Sequence, residues 1–268
     1  MKTTDGGINW FTQKSNRTAT IQDIQFLDAD VGIIVLNDGE ILKTTNGGDT
    51  WIHQNSNNWR SLYAVHFVDI NTGIAVGWDG TIIKTTDEGT NWIQQISGTT
   101  IHLTDVFFIN SNDIIAVGDS GTIIKSTNEG TSWFSQSSGT LQYLTSVFFT
   151  DDNNGIVIGA TGTILRTTNG GANWSPINSN VSSALRSVWF TDTNSGWIVS
   201  MWDDVLRTTD GGLTWSHQYI NNHQPLYGVY FSDNNNGLAI GQFGTILKTT
   251  NRGINWVLQN STVFIHSL

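Results

Sequence analysis

Three groups of side chains in this sequence have types and spacings that chemistry could use. The first is Trp202-Asp203-Asp204. An indole face beside acidic acceptors suits a sugar ring or a cationic peptide group. The competing reading is a drifted turn with Trp202 packed locally. The second group is Trp59-Arg60, Trp78-Asp79, Arg186 and Phe243. With Trp202 these aromatics could line one rim, and exposed apolar patches mark interfaces. Burial between neighbouring elements is the alternative. The third is Asp23 and Asp105, which share one position of a repeat. Paired carboxylates can do acid–base work on a glycoside, but satisfying buried backbone donors is the commoner use. We assign no catalytic residue from them. His66 reads as a hydrogen-bonded core histidine. There is no cysteine and no metal-ligand spacing, so no metal or other cofactor is expected.

The elements that must position these residues come from a repeat. Trp10, Trp51, Trp92, Trp133, Trp174, Trp215 and Trp256 follow one another at one constant interval, without an insertion. Each unit holds four strand signals. The first is an aromatic and β-branched run such as Val147-Phe148-Phe149. A Gly-led run such as Gly73-Ile74-Ala75-Val76-Gly77 comes second. The third is the Thr-Ile-Ile-Lys-Thr run, and the fourth begins at the Trp. Gly, Asn and Asp clusters separate them, as hairpins require. A period of about 40–45 residues with four strands is a propeller blade. Val188-Trp189-Phe190 and Val229-Tyr230-Phe231 are apolar at successive positions, as strands covered on both faces are. A sandwich would keep one polar row.

Ahead of each Trp lies a box of the form Thr-Thr-Asn-Gly-Gly-Asp-Thr-Trp, spelled here as residues 44–51. Its third position is Asp5, Asn46, Asp87, Asn128, Asn169, Asp210 or Asn251, with Gly two places later. A short Asx side chain can bond the backbone of its own turn, and Gly permits positive φ. These seven Asx residues and the seven Trp residues therefore read as structural. Lys2, Lys43, Lys84, Lys125, Arg166, Arg207 and Lys248 occupy one further repeat position, which accounts for most of the twelve basic residues.

The box and its period resemble the Asp-box, or bacterial neuraminidase repeat, family over the whole chain. The Thr-Ile-x-Lys-Thr-Thr-Asp-x-Gly-x-x-Trp spelling is most similar to the photosystem II stability and assembly factor branch. The resemblance implies a ligand face opposite the boxes, made by the turns between second and third strands and the loops between blades. It is specific for fold and poor for function. Neuraminidases hold a substrate carboxylate with three arginines, and here only Arg60 and Arg186 lie on the implied face. Asp-box xyloglucanases need two propellers, and one is present. The assembly-factor branch uses basic residues on one face, whereas this chain is acidic.

The formal net charge is −10, with a pI near 4.7. That sign argues against nucleic acid or an anionic membrane surface as the partner. No apolar run is long enough to cross a bilayer, so no membrane insertion is expected, and MKTTDGGINW lacks the apolar core of a signal peptide. The expected fold is all-β: a seven-bladed-type β-propeller of four-stranded antiparallel blades, with six complete blades and a partial one. Residues 1–17 are expected to supply the outer strand of the partial blade, 18–261 six blades, and 262–268 a tail. The two ends together supply only part of a seventh repeat, so a piece of a longer chain is the favoured expectation. The expected function is a non-catalytic binding or assembly propeller, extracytoplasmic and bacterial. Its partner would be a protein segment or glycan, alongside the rest of a longer chain. The alternatives are a glycoside hydrolase module and a structural spacer.

Overall fold

The computed structural model describes residues 1–202, 204–220 and 224–259. Asp203, His223 and the expected tail at 262–268 lie outside them. The chain forms two compact units.

The unit Gln13–Tyr143 holds three four-stranded antiparallel sheets. Blade one is β1 (Ile21–Phe26), β2 (Val31–Leu36), β3 (Ile41–Thr45) and β4 (Ile52–Gln54). Blade two is β5 (Leu62–Phe67), β6 (Gly73–Gly77), β7 (Ile82–Thr85) and β8 (Ile93–Gln95). Blade three is β9 (Leu103–Phe108), β10 (Ile114–Gly118), β11 (Ile123–Ser126) and β12 (Phe134–Gln136). The other unit joins Met1–Thr12 to Leu144–Leu268. Its blade four is β13 (Leu144–Phe149), β14 (Gly155–Gly159), β15 (Ile164–Thr167) and β16 (Ser175–Ile177). Blade five is β17 (Leu185–Phe190), β18 (Gly196–Ser200), β19 (Asp204–Thr208) and β20 (Ser216–Tyr219). Blade six is β21 (Leu226–Phe231), β22 (Gly237–Gly241), β23 (Ile246–Thr249) and β24 (Val257–Leu258). Every sheet is a meander in chain order, the fold of β-propeller blades.

The first strand of each blade shows how the sequence sets its packing. A plain strand would put residues one, three and five on one face. Here the apolar positions are one, four and six, as in Leu62, Val65 and Phe67. A register shift between Leu62 and Ala64 adds one residue and brings all three to one face. The same shift recurs at the start of β13, β17 and β21. Leu62, Val65 and Phe67 then pack with Ile33, Val35 and Ile41 of blade one. Phe67 lies over Gly73, where an added Cβ would stand 2.7 Å from the ring, so the Gly-led second strand makes room for it.

The box closes the other end of the blade. In blade two the Asp87 carboxylate accepts from Asn91 N at 2.9 Å and from Asn91 Nδ2 at 2.7 Å. Thr85 Oγ1 donates to Asp87 at 2.9 Å and accepts from Gly89 N at 3.0 Å. Trp92 Nε1 donates to Gly89 O, and its ring meets Phe67 edge-on at 5.8 Å. Phe149–Trp174, Phe190–Trp215 and Phe231–Trp256 repeat that contact. The box thus ties the outer turn to the inner strand of its own blade.

Basic residues of the third strands tie one blade to the next. Lys84 Nζ donates to Glu129 O at 2.7 Å, Arg166 Nε to Gly211 O at 2.9 Å, and Lys43 pairs with Glu88 at 3.2 Å. Each partner residue lies in the following blade's box.

A partial seventh blade does not form. Residues 1–17 make an Asp-box turn closed by one bridge, Lys2 to Phe11, and contribute no strand. The described residues form six blades. A strand needs a neighbouring ladder to satisfy its backbone, and this segment has only its own hairpin. The turn nevertheless docks on blade six as other boxes dock on a preceding blade. Gly7 lies against Leu238, and Lys248 Nζ donates to Gly6 O at 2.7 Å.

Candidate functional site

In each blade the box and the turn between second and third strands lie at opposite ends of the third strand. That second turn presents side chains to solvent. In blade two, Trp78 N donates to Ser61 O at 2.9 Å, and Thr81 donates to Trp78 O through both N and Oγ1. Asp79 adopts φ +53°, as Ser120, Thr161 and Phe243 adopt positive φ at the same position, and an Asp tolerates this better than most residues. Trp78 and Asp79 are consequently both exposed. The preceding loop is fixed by Asn58, whose Nδ2 donates to Arg60 O and whose Oδ1 accepts from Arg60 N. Trp59 projects from it, 76% exposed.

The structure brings these four residues together. The Arg60 guanidinium stacks over the Trp59 ring at 4.7 Å, and its Nε reaches Asp79 Oδ2 at 3.4 Å. Asp79 N donates to His102 Nδ1 at 3.0 Å, and the His102 ring meets Trp78 edge-on at 5.5 Å. His102 O accepts from Asp119 N at 3.1 Å, so one residue bridges the turns of blades two and three. An open depression of about 680 Å³ adjoins the cluster, lined by Arg60, Asp79, Thr81, Gln95, Ser97 and Thr99. The sequence places His102 in an inter-blade loop of the same implied face as Trp59 and Arg60 but does not join it to Asp79 and Trp78. Its position immediately before the inner strand, where Ser61 and Ala184 also touch the second turn of their own blades, is the available signal.

Blade five is built differently. Trp202 is 75% exposed, and its N donates to Ser200 Oγ at 3.2 Å. Asp204 is turned inward. Its carboxylate accepts from Ser183 Oγ at 2.7 Å and Ser200 Oγ at 3.3 Å, and pairs with His217 Nε2. The order is Ser183, Asp204, His217, whereas a hydrolase triad places the imidazole against the hydroxyl with the carboxylate behind it. Trp202 and Asp204 border a smaller depression with Asn180, Val181 and Ser183. Arg186 is the second residue of β17, with a buried Nε that has no hydrogen-bond partner among the described residues. Phe243 is exposed at the tip of the blade-six turn.

The inner-strand groups hold structure. Asp23 accepts from Val65 N at 2.9 Å and Ile24 N at 2.8 Å, and Asp105 from Val106 N at 2.8 Å. Burial pushes the Asp23 carboxyl up to about 7, the Val65 N–H opposes this, and the charge of Asp105 adds to it. His66 Nδ1 accepts from Phe108 N, and burial pushes its imidazole down to about 4, so it is neutral. No group of three or more His, Cys, Asp or Glu residues able to hold a metal occurs among the described residues.

Repeated four-stranded blades, each closed by an Asp-box hairpin, define an Asp-box β-propeller. The sequence profile of the photosynthesis system II assembly factor YCF48 matches residues 2–97, 93–168 and 167–261, and the chain belongs to that family. A solved structure of YCF48 bound to D1 peptide aligns with TM-score 0.74 at 19% identity, covering 90% of this chain and 81% of that one. YCF48 from Cyanidioschyzon merolae gives the same TM-score and identity, with 90% and 85% covered. The GH74 enzyme of Niastella koreensis aligns at 0.74 with 13% identity, covering 89% of this chain and 46% of that one. At these identities the likeness carries the fold alone. A search of curated protein sequences found no significant match.

Proposed function

We propose that this chain is a non-catalytic propeller that binds a segment of protein chain on the rim opposite the Asp boxes. In the unit of residues 13–143 the contact surface is Trp59, Arg60, Trp78 and Asp79, organised by His102. The observation that carries this reading is the pair of exposed indoles flanking an Arg60–Asp79 ion pair beside an open depression. Aromatic and Arg side chains on a rigid scaffold are the residue types that dominate protein recognition. Family membership, and the peptide bound to a YCF48 of the same fold, support a protein segment as ligand.

A peptide array and a glycan array, each offered to wild type and to a Trp59→Ala/Trp78→Ala variant, test the reading. Peptide binding by wild type that the variant loses, with the glycan array blank, is the expected result. Glycan capture without peptide capture, or equal peptide binding by both proteins, overturns it.

A further inference from the structure

Building on the protein-segment reading, we infer that the blade-two rim recognises a cationic side chain, Arg or Lys, of the bound segment, and that Arg60 holds its place until that side chain displaces it. Three observations converge on this occupant.

First, the site already accommodates a guanidinium. Arg60 lies between the Trp59 face at 4.7 Å and Asp79 at 3.4 Å. That ion-pair distance is long for a charge-assisted bond, and both partners are partly exposed, so the intramolecular pair is weak.

Second, acceptors outnumber cations on the surrounding surface. His102 fixes Asp79 and Asp119 on the turns either side of it. Asp119 Oδ1 is buried without a hydrogen-bond partner among the described residues. Burial first, then the charges of Asp119 and Asp79, raise the Tyr63 phenol above its ordinary range, so both carboxylates lie within electrostatic reach of that phenol. A bound ammonium or guanidinium would pair with the exposed Asp79 carboxylate, with the half-exposed Trp78 ring beside it as an aromatic face.

Third, the charge of the whole chain favours such a partner. Net charge is −10, and Lys43, Lys84, Arg166 and Lys248 are held in latches between blades and boxes. An acidic surface of this kind steers basic segments toward it and repels acidic ones.

The test uses the full chain with acetyl-arginine amide, acetyl-glutamine amide and acetyl-glutamate amide as probes. Binding is read by chemical-shift changes at the His102 imidazole and the Trp78 indole N–H. The arginine probe is expected to bind selectively. Arg60→Ala should tighten it roughly two- to fivefold, the scale of removing an exposed ion pair. Adding Asp79→Asn to Arg60→Ala should abolish it. Selective binding of the glutamate probe that Arg60→Ala removes would overturn the inference, since Arg60 would then read an anion. Weaker or unchanged arginine binding in Arg60→Ala would overturn it as well. The peptide array separates this failure from failure of the underlying reading. Segments bound through Trp59 and Trp78 but not enriched in Arg or Lys leave the protein-segment function standing and remove the cationic specificity.

Discussion

Taken one side chain at a time, the acidic residues are turn fasteners more than a charge reservoir. Asp28, Asp69, Asp151, Asp192 and Asp233 each accept from the backbone N–H groups two and three positions on. The Asp5 carboxyl is pushed down to about 2, first by the Asn9 backbone N–H and then by the Asn9 side chain. In Asp151 and Asp192 burial pushes upward, but the turn hydrogen bonds outweigh it and the carboxyls sit below their usual range. A depressed carboxyl stabilises the fold above its unfolded pKa, and that stability is lost as pH falls through the folded value. Asp23 has the opposite sign. Its native carboxyl, raised to about 7, keeps a proton that the unfolded chain gives up near 4. Its contribution therefore turns against the native state as pH rises from about 4 to about 7. Asp23→Asn leaves either the Ile24 or the Val65 N–H without its acceptor at every pH but removes the buried charge only at high pH, so we predict that it lowers the midpoint of thermal unfolding at pH 3.5 and is clearly less damaging at pH 8. An equal shift at both pH values would refute the assignment. Replacing Asp87 by Ala should cost about 1–2 kcal/mol in a denaturant titration, the range for losing a side-chain cap on backbone donors.

Strands and turns are joined by two recurring devices, the box that ties a blade to itself and the latch that ties it to the next. Trp133 is buried, and its Nε1 donates to Gly130 O at 3.0 Å. Trp133→Ala should cost about 3–5 kcal/mol, the usual range for a buried aromatic. Trp202→Ala should change stability by no more than about 0.5 kcal/mol, because the ring is exposed. Calorimetry on the two variants decides, and similar losses would place Trp202 in the core. The latch has its own test. Lys84 is mostly buried and donates to Glu129 O, with the Glu129 carboxylate at 3.5 Å. Lys84→Met keeps the aliphatic stem and removes the donor, so it should cost about 1.5–3 kcal/mol, the range for a hydrogen bond to a charged group.

Each of the two units that make up the molecule keeps one blade with an uncovered apolar face. Ile24 is 48% exposed, whereas Val65, Val106, Val147, Val188 and Val229 at its repeat position are buried. Ile240 is 50% exposed, whereas Val35, Val76, Val117, Ile158 and Val199 are fully buried. Ile21 and Phe26 accompany the first, and Tyr227 and Tyr230 the second. Uncovered apolar faces favour association. Sedimentation velocity should show concentration-dependent self-association that Ile24→Lys and Ile240→Lys each weaken without unfolding. The same change at Val76, with no exposed surface to receive a charge, should unfold its blade.

The repeat, the four strands of each blade, the box and the structural place of its Trp are all legible in the sequence, because these features are local. Turn chemistry and hydrophobic spacing recur at the interval that separates Trp51 from Trp92 and Trp92 from Trp133. Trp59, Arg60, Trp78 and Asp79 also stand out as candidate rim residues, since all four fall at turn or loop positions between the repeating strands. The remainder came only with the fold. Residues 1–17 spell the end of a repeat, yet form only a docked hairpin, because a strand exists only beside a partner that satisfies its backbone hydrogen bonds. Asp204 looks like a rim carboxylate in the sequence and is in fact drawn inward by Ser183 and His217, which are distant from it along the chain. Joining His102 to Asp79 likewise required the packing of blade three against blade two. The Asp204 pairings depend on which positions meet across the strands and leading loop of one blade, and the His102 pairing on which turns adjacent blades bring side by side, and no local pattern encodes either.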